Sequence, residues 1–189
     1  MKNKLLMISF AVSCAFAGNA MAMTKAEYTT QKNQITADYK VSHDKCKELK
    51  DNAKDICNSE AKGIEKVAKA ELEAQYKPSA KHTEAVSMAK ADAAYDTAKE
   101  KCDDLAGNAK DVCVKDAKAA HVKAKEEAKV AKVTADSSKN KTEKITDAKK
   151  DANAEMRAAN YKAAAERCDS LAGAAKDSCV ADAKAKYGM

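Results

Sequence analysis

One twelve-residue stretch, bounded by cysteines, occurs three times in this chain. It is CKELKDNAKDIC at residues 46–57, CDDLAGNAKDVC at 102–113 and CDSLAGAAKDSC at 168–179. Each copy has the pattern C-x2-L-x4-K-D-x-C, and a tyrosine stands seven residues before the first cysteine of each (Tyr39, Tyr95 and Tyr161). An internal repeat of this length indicates one supersecondary unit used three times.

The repeated unit has the pattern of a helical hairpin. In the second copy Tyr95, Cys102 and Leu105 lie at i, i+7 and i+10, which places them on one stripe of a helix. We expect Gly107 to end this helix in the left-handed conformation, and Asn108 to cap the next one. Applied to the whole chain, this pattern predicts an all-α fold of about six helices, at 24–50, 53–76, 80–106, 109–133, 141–172 and 175–187.

The three connections differ in their turn residues. The first copy has Asp51-Asn52 where the second has Gly-Asn, and Asp tolerates the left-handed conformation. The third has Ala174 at the Asn position, which predicts the loosest of the three turns. Thr24-x-x-Glu27 is a capping box that should open the first helix. Whether the hairpins form one bundle or an extended array stays open at this point.

Within each unit the two cysteines lie about one turn from the connection, on facing helices. Small alanines allow close helix packing, so the spacing predicts disulfides Cys46–Cys57, Cys102–Cys113 and Cys168–Cys179. Each bridge should contribute roughly 3 kcal/mol to stability. Zinc binding is the alternative, but the ten-residue separation lacks the short C-x2–4-C spacing of structural zinc sites.

The amino-terminal residues have the pattern of an export signal. A basic start, an apolar segment at 5–17 and the tripeptide Ala-Met-Ala predict cleavage after Ala22, so that residues 1–22 are a signal peptide and the protein is periplasmic. Cleavage would leave six cysteines, an even number suited to disulfides. The alternative is lipoprotein processing at Cys14. The mature chain then divides into hairpin repeats at 23–77, 78–135 and 136–189, and contains no segment apolar enough to cross a membrane.

The composition argues against an enzyme. Residues 23–189 contain 37 Ala against four Leu, four Ile and no Phe, too few bulky side chains for the core of an α/β or β fold. The sequence has no Gly-rich phosphate loop, C-x-x-C redox pair or recognisable catalytic triad. We therefore expect no catalytic residues, no cofactor and no bound metal.

Three further groups of residues have both a structural and a functional interpretation. The matched tyrosines are expected in the hairpin cores, with a ligand-stacking surface as the alternative. His43, His82 and His121 are expected to face solvent rather than to bind metal. Residues 118–150 carry ten Lys against five acidic residues. Binding of polyanions such as lipopolysaccharide or nucleic acid is the alternative for this stretch. We expect a solvated helix and linker there and no nucleic-acid partner, because the charges alternate and aromatic residues are missing from it.

At its cysteine-bounded segments the chain resembles a loose group of small, Ala/Lys-rich, exported Gram-negative bacterial proteins of unknown function, some of which are labelled TolA-like. The resemblance covers essentially the whole mature chain. It implies a location in the periplasm or envelope and no established activity. The expectation is a non-enzymatic structural or interaction protein whose partner is unidentified. The alternatives are a stress-related holdase chaperone and a metal-scavenging protein that uses thiols and histidines.

Overall fold

The computed structural model describes residues 23–136 and 139–189. The proposed cleavage site at Ala22 and the alternative lipidation site at Cys14 lie outside these residues. The described chain is all-α, without strands, as the sequence predicts. Its six helices are α1 (Lys25–Cys46), α2 (Asp51–Tyr76), α3 (Ala80–Cys102), α4 (Gly107–Ala135), α5 (Lys141–Cys168) and α6 (Gly173–Tyr187).

The helices form an extended array rather than a closed bundle. In the described chain each helix packs only against the helix before it and the helix after it in sequence. Neighbouring helices are antiparallel, so the three disulfide-closed turns lie together at one end of the array. The connection at 77–79 lies at the opposite end, where α4 ends at Ala135 and α5 begins at Lys141. This order answers the question, left open by the sequence, of whether the hairpins form one bundle or an extended array.

Two helices begin as local sequence signals require. Thr24 accepts a hydrogen bond from the backbone nitrogen of Glu27 at 3.2 Å, and the Glu27 carboxylate accepts one from the Thr24 nitrogen at 2.7 Å. The capping box is thus confirmed. Ser79, which follows the only proline, caps α3 by accepting from the nitrogen of His82 at 3.1 Å.

The first helix of each hairpin is four residues shorter than predicted. Helix α3 ends at Cys102 rather than at 106, and α1 and α5 likewise end at Cys46 and Cys168. The Leu105 nitrogen donates to the Cys102 carbonyl at 3.0 Å, an i→i−3 bond that closes a tight turn directly after the helix. Leu105 therefore lies in the connection and does not belong to the helical stripe that suggested the longer helix.

The three turns share one backbone conformation. Asp51, Gly107 and Gly173 have φ values of 49°, 55° and 56°, so the expectation that Asp51 adopts the left-handed conformation is confirmed. In the second hairpin, however, Gly107 is the first residue of α4 and does not end α3. The third turn has the same backbone conformation as the other two, although Ala174 replaces the asparagine there, and its expected looseness stays a prediction.

The turn asparagines join successive hairpins instead of capping their own helices. Asn52 Nδ2 donates to the Glu100 carbonyl at 2.8 Å, and Asn108 Nδ2 donates to the Glu166 carbonyl at 3.2 Å. The acceptors are among the last carbonyls of α3 and α5. Each therefore belongs to the hairpin that follows the one donating the bond. The prediction that Asn108 caps α4 is wrong, because the amide faces the adjacent helix.

Ion pairs recur at the same two boundaries between hairpins. Lys101 Nζ lies 3.1 Å from a carboxylate oxygen of Glu60, and Arg167 Nη2 lies 2.5 and 2.7 Å from the two oxygens of Asp116. In both pairs the basic residue directly precedes the first cysteine of its hairpin. The acid lies three residues after the second cysteine of the preceding hairpin.

Acidic residues four positions before a lysine predict three ion pairs within helices, Glu65–Lys69, Asp111–Lys115 and Asp182–Lys186, and these form only in part. Glu65 pairs with Lys69 at 2.6 Å as expected. Lys115, expected to pair with Asp111, lies instead 3.5 Å from Glu166 on α5. The expected pair of Asp182 with Lys186 is likewise not formed in the described structure, where Lys186 lies over the ring of Tyr187.

Small residues make up most of the core. The buried apolar side chains are those of Leu72, eight alanines and three half-cystines, Cys46, Cys102 and Cys168. Gly63 allows α2 to approach α3 closely, because a β-carbon added there would lie 2.8 Å from the Ala93 β-carbon. The array is therefore held by close backbone approach and disulfides more than by burial of large side chains.

Candidate functional site

The disulfide-closed end of the array is the most regular surface of the protein. Bridges join Cys46 to Cys57, Cys102 to Cys113 and Cys168 to Cys179, with Cα–Cα distances of 5.5, 5.6 and 5.7 Å. These are the pairs predicted from spacing. Because all three hairpins have the same orientation, the array presents one turn geometry three times along a single edge.

Each turn exposes the same apolar residue. Leu49, Leu105 and Leu171, which stand three residues after the first cysteine of each hairpin, are 42%, 44% and 43% exposed. They are the invariant leucines of the repeated pattern, yet none belongs to the core. We refer to these three leucines as the leucine edge. Sequence reasoning missed its exposure, because the i+10 spacing suggested a continuous helix.

The repeat-matched tyrosines, which were expected in the hairpin cores, are half-buried. Tyr95 stacks on His121 of α4, with ring centroids 4.7 Å apart and planes 15° apart. Tyr39 contacts His43 on its own helix, at 5.6 Å between centroids and a tilt of 41°.

A charged cluster centred on Asp92 joins the first two hairpins. Its carboxylate accepts from His121 Nε2 at 2.7 Å and from Lys66 Nζ at 3.0 Å, and lies 4.0 Å from Lys125 Nζ. Burial by itself raises the pKa of Asp92, but the two hydrogen bonds and the neighbouring lysine charges outweigh it and hold the pKa below its usual value. Asp92 thus links α2, α3 and α4. No sequence motif marks this residue, since its partners come from helices far apart in the chain.

The three histidines lie in three separate places. His43 is on α1 beside Tyr39, His82 is in the first turn of α3, and the His121 side chain is only 9% exposed between α3 and α4. The expectation that His121 faces solvent is therefore wrong. The described residues contain no group of three or more His, Cys, Asp or Glu side chains arranged to hold a metal ion. The cysteines after residue 22 are all oxidised.

Part of the charge of the basic segment at 118–150 is paired within the array. Lys132 Nζ lies 2.7 Å from Glu84 of α3, and Lys129 Nζ lies 2.5 Å from Glu126. Glu126 is 7% exposed and is the buried charged residue of the described chain. These contacts agree with the interpretation of this segment as an ordinary helix face over most of α4.

The described helices include none that is long and apolar enough to span a bilayer. Comparisons of the chain with protein-family models, with curated proteins and with solved structures gave no match.

Proposed function

We propose that this protein is a non-enzymatic structural or interaction module of the bacterial periplasm, and that it binds its partner through the leucine edge. The observation that carries the proposal is the threefold presentation of an exposed leucine on a rigid, disulfide-closed turn. Helical repeat arrays expose long surfaces of this kind, which suit extended partners.

Two further features support this proposal. Disulfides persist in oxidising compartments, which favours the periplasm over the cytoplasm. The leucines are kept in all three hairpins although more than two fifths of each stays exposed, and three repeated contacts strengthen binding through effective concentration. The partner would therefore present apolar groups at intervals that match the hairpin spacing.

A holdase chaperone is the second candidate, and the same leucines favour it. Exposed apolar side chains next to charged ones bind unfolded chains weakly and without sequence specificity. A holdase would protect several unrelated clients from aggregation. A specific module would protect none, even in excess, and light-scattering assays with two unrelated unfolded clients distinguish the two.

The test of the proposal is crosslinking and affinity capture from periplasmic extract, with quantification by mass spectrometry. Wild-type protein is compared with the triple variant Leu49→Ser, Leu105→Ser, Leu171→Ser. We expect the variant to capture at least tenfold less of the principal partner protein than wild type does, and to keep its helical circular dichroism spectrum.

The matched control is the double variant Val41→Ser, Ile64→Ser, which removes exposed apolar residues from the helix faces instead of the edge. It should capture the same protein as wild type does. Equal capture by wild type and the leucine variant, or equal loss in the control, would refute binding through the leucine edge.

A further inference from the structure

The surface around the leucine edge differs in charge from the rest of the protein. The segments that carry the three leucines lie between paired cysteines, at residues 47–56, 103–112 and 169–178, and we refer to them as the disulfide loops. Together they contain five basic and eight acidic side chains. The other residues of 23–189 contain 28 basic and 21 acidic side chains. A chain of net positive charge therefore presents its exposed leucines on segments of net negative charge.

The excess of acidic residues lies in the second and third disulfide loops, since the first contains three residues of each sign. In each of the other two loops the single lysine is already paired across the turn, Lys110 with Asp103 at 3.0 Å and Lys176 with Asp169 at 2.9 Å. The acids that remain in these two loops are exposed and form no ion pair with any residue that the structure describes: Asp104, Asp111 and Asp177. We refer to these three side chains as the unpaired acids.

The helix dipoles do not account for the unpaired acids. Asp104 follows the end of α3, where a negative charge opposes the dipole. Asp111 and Asp177 are the fifth residues of α4 and α6, beyond the first turn in which a carboxylate is stabilised. Three helices end and three begin at this edge, so the partial charges of their ends offset one another. Side chains therefore set the sign of the potential at the leucine edge.

This charge distinguishes between the apolar surfaces that the leucines could meet. Anionic lipid surfaces attract basic protein segments and would repel an edge of net negative charge. An acidic polypeptide would be repelled for the same reason. A polypeptide that combines basic and apolar side chains matches both features of the edge. The positive charge on the rest of the chain repels such a partner from other surfaces, which directs it to the leucine edge.

We propose that the leucine edge recognises basic polypeptide segments that carry apolar side chains. Leu49, Leu105 and Leu171 contact the apolar side chains, and the unpaired acids pair with lysine or arginine. This proposal rests on the binding role proposed above for the leucine edge and adds the chemistry of the partner. Because salt screens ion pairs between exposed groups, binding should weaken as the ionic strength rises.

The test is an NMR titration of the ¹⁵N-labelled protein with a synthetic peptide made of three copies of Lys-Leu-Lys-Ser-Gly. We expect saturable chemical-shift changes centred on the amides of the disulfide loops. Raising the sodium chloride concentration from about 50 mM to about 300 mM should weaken binding at least threefold. Two control peptides, with glutamate in place of lysine or with serine in place of leucine, should bind at least tenfold more weakly.

The decisive variant replaces the unpaired acids by amides, through Asp104→Asn, Asp111→Asn and Asp177→Asn, and keeps every leucine. It should bind the basic peptide at least fivefold more weakly and keep its helical circular dichroism spectrum, because the three side chains are exposed. The matched control removes three exposed acids from α5, through Asp147→Asn, Asp151→Asn and Glu155→Gln. It has the same net charge as the decisive variant and should bind the peptide within twofold of wild type.

The outcomes separate the chemistry of the partner from the binding role of the leucine edge. If the triple leucine variant loses the captured partner protein while the decisive variant retains it in full, the edge binds its partner but a basic partner is refuted. If the leucine variant retains the captured protein, both proposals fall. Absence of shifts in the disulfide loops, equal binding of the glutamate peptide or an equal loss in the α5 control would also overturn the proposal. So would leucine-dependent cosedimentation with vesicles of phosphatidylglycerol, which would assign the edge to a lipid surface.

Discussion

Asn52 on α2 donates a hydrogen bond to the carbonyl oxygen of Glu100, near the end of α3, at 2.8 Å. The last carbonyls of a helix have no partner within it, and a neighbouring hairpin supplies the missing donor here. Asn108 does the same for α5 at 3.2 Å. The third hairpin has Ala174 at this place and no helix follows α6 in the described chain. The asparagine is therefore present in the two hairpins that have an adjacent helix end to cap, that of α3 or that of α5.

Asn108→Ala should lower the free energy of unfolding by about 1 kcal/mol, since it removes one side-chain hydrogen bond to a half-buried carbonyl. Chemical denaturation of the full chain measures the change. Ala174→Asn is the matched control and should change stability by less than about 0.5 kcal/mol, because the new amide has no helix end to reach. A clear gain of stability in that control would mean that the asparagine acts within its own hairpin.

Each disulfide closes a short loop and should contribute roughly 3 kcal/mol, mainly by restricting the unfolded chain. Replacing Cys102 and Cys113 together with alanine should therefore lower the midpoint of denaturation substantially. Full reduction should have a larger effect, since typical total stability is only about 5–15 kcal/mol. Circular dichroism with and without reductant gives the measurement. An unchanged midpoint after complete reduction would contradict the view that the bridges, and not the alanine-rich core, hold the hairpins.

Gly63→Ala should destabilise the protein by about 1–3 kcal/mol, because its new methyl group would lie 2.8 Å from the Ala93 β-carbon and force α2 and α3 apart. Adding Ala93→Gly should restore part of the loss by removing the opposing methyl group. A double-mutant cycle measured by thermal unfolding isolates this coupling. Additive effects of the two substitutions would contradict a direct contact between positions 63 and 93.

The carboxylate of Asp92 should make stability depend on pH in the acid range. Its pKa in the folded protein is lowered, as burial is outweighed by hydrogen bonds from His121 and Lys66 and by lysine charges. A lowered folded pKa adds stability that is present above the unfolded value of about 3.9 and is lost as pH falls through the folded value. Asp92→Asn should therefore flatten the acid end of the stability curve.

The measurement for Asp92 is the free energy of unfolding by denaturant, taken from neutral pH down to about pH 2, where carboxylates protonate. Asp147→Asn, on the exposed surface of α5, serves as the control and should follow the wild-type curve. If Asp92→Asn loses as much stability as wild type does when the pH falls, other carboxylates govern stability in the acid range.

Local patterns were sufficient for much of this architecture. The cysteine-bounded repeat predicted the three pairings, and Thr24 and Glu27 predicted the start of α1, because these features join residues close together in the chain. The same kind of reasoning failed at Leu105. A helical spacing of apolar residues does not reveal that the chain leaves the helix at Cys102.

What the amino-acid sequence determined by itself is the hairpin, since helix propensity, turn residues and cysteine spacing all act over a dozen residues or so. What only the tertiary structure decided is how hairpins follow one another. The amides of Asn52 and Asn108 turn outward to the next hairpin, and Asp92 on α3 binds partners from the helices on both sides of it, α2 and α4. These contacts join residues about 30 to 60 positions apart, and their geometry depends on the packing of whole helices.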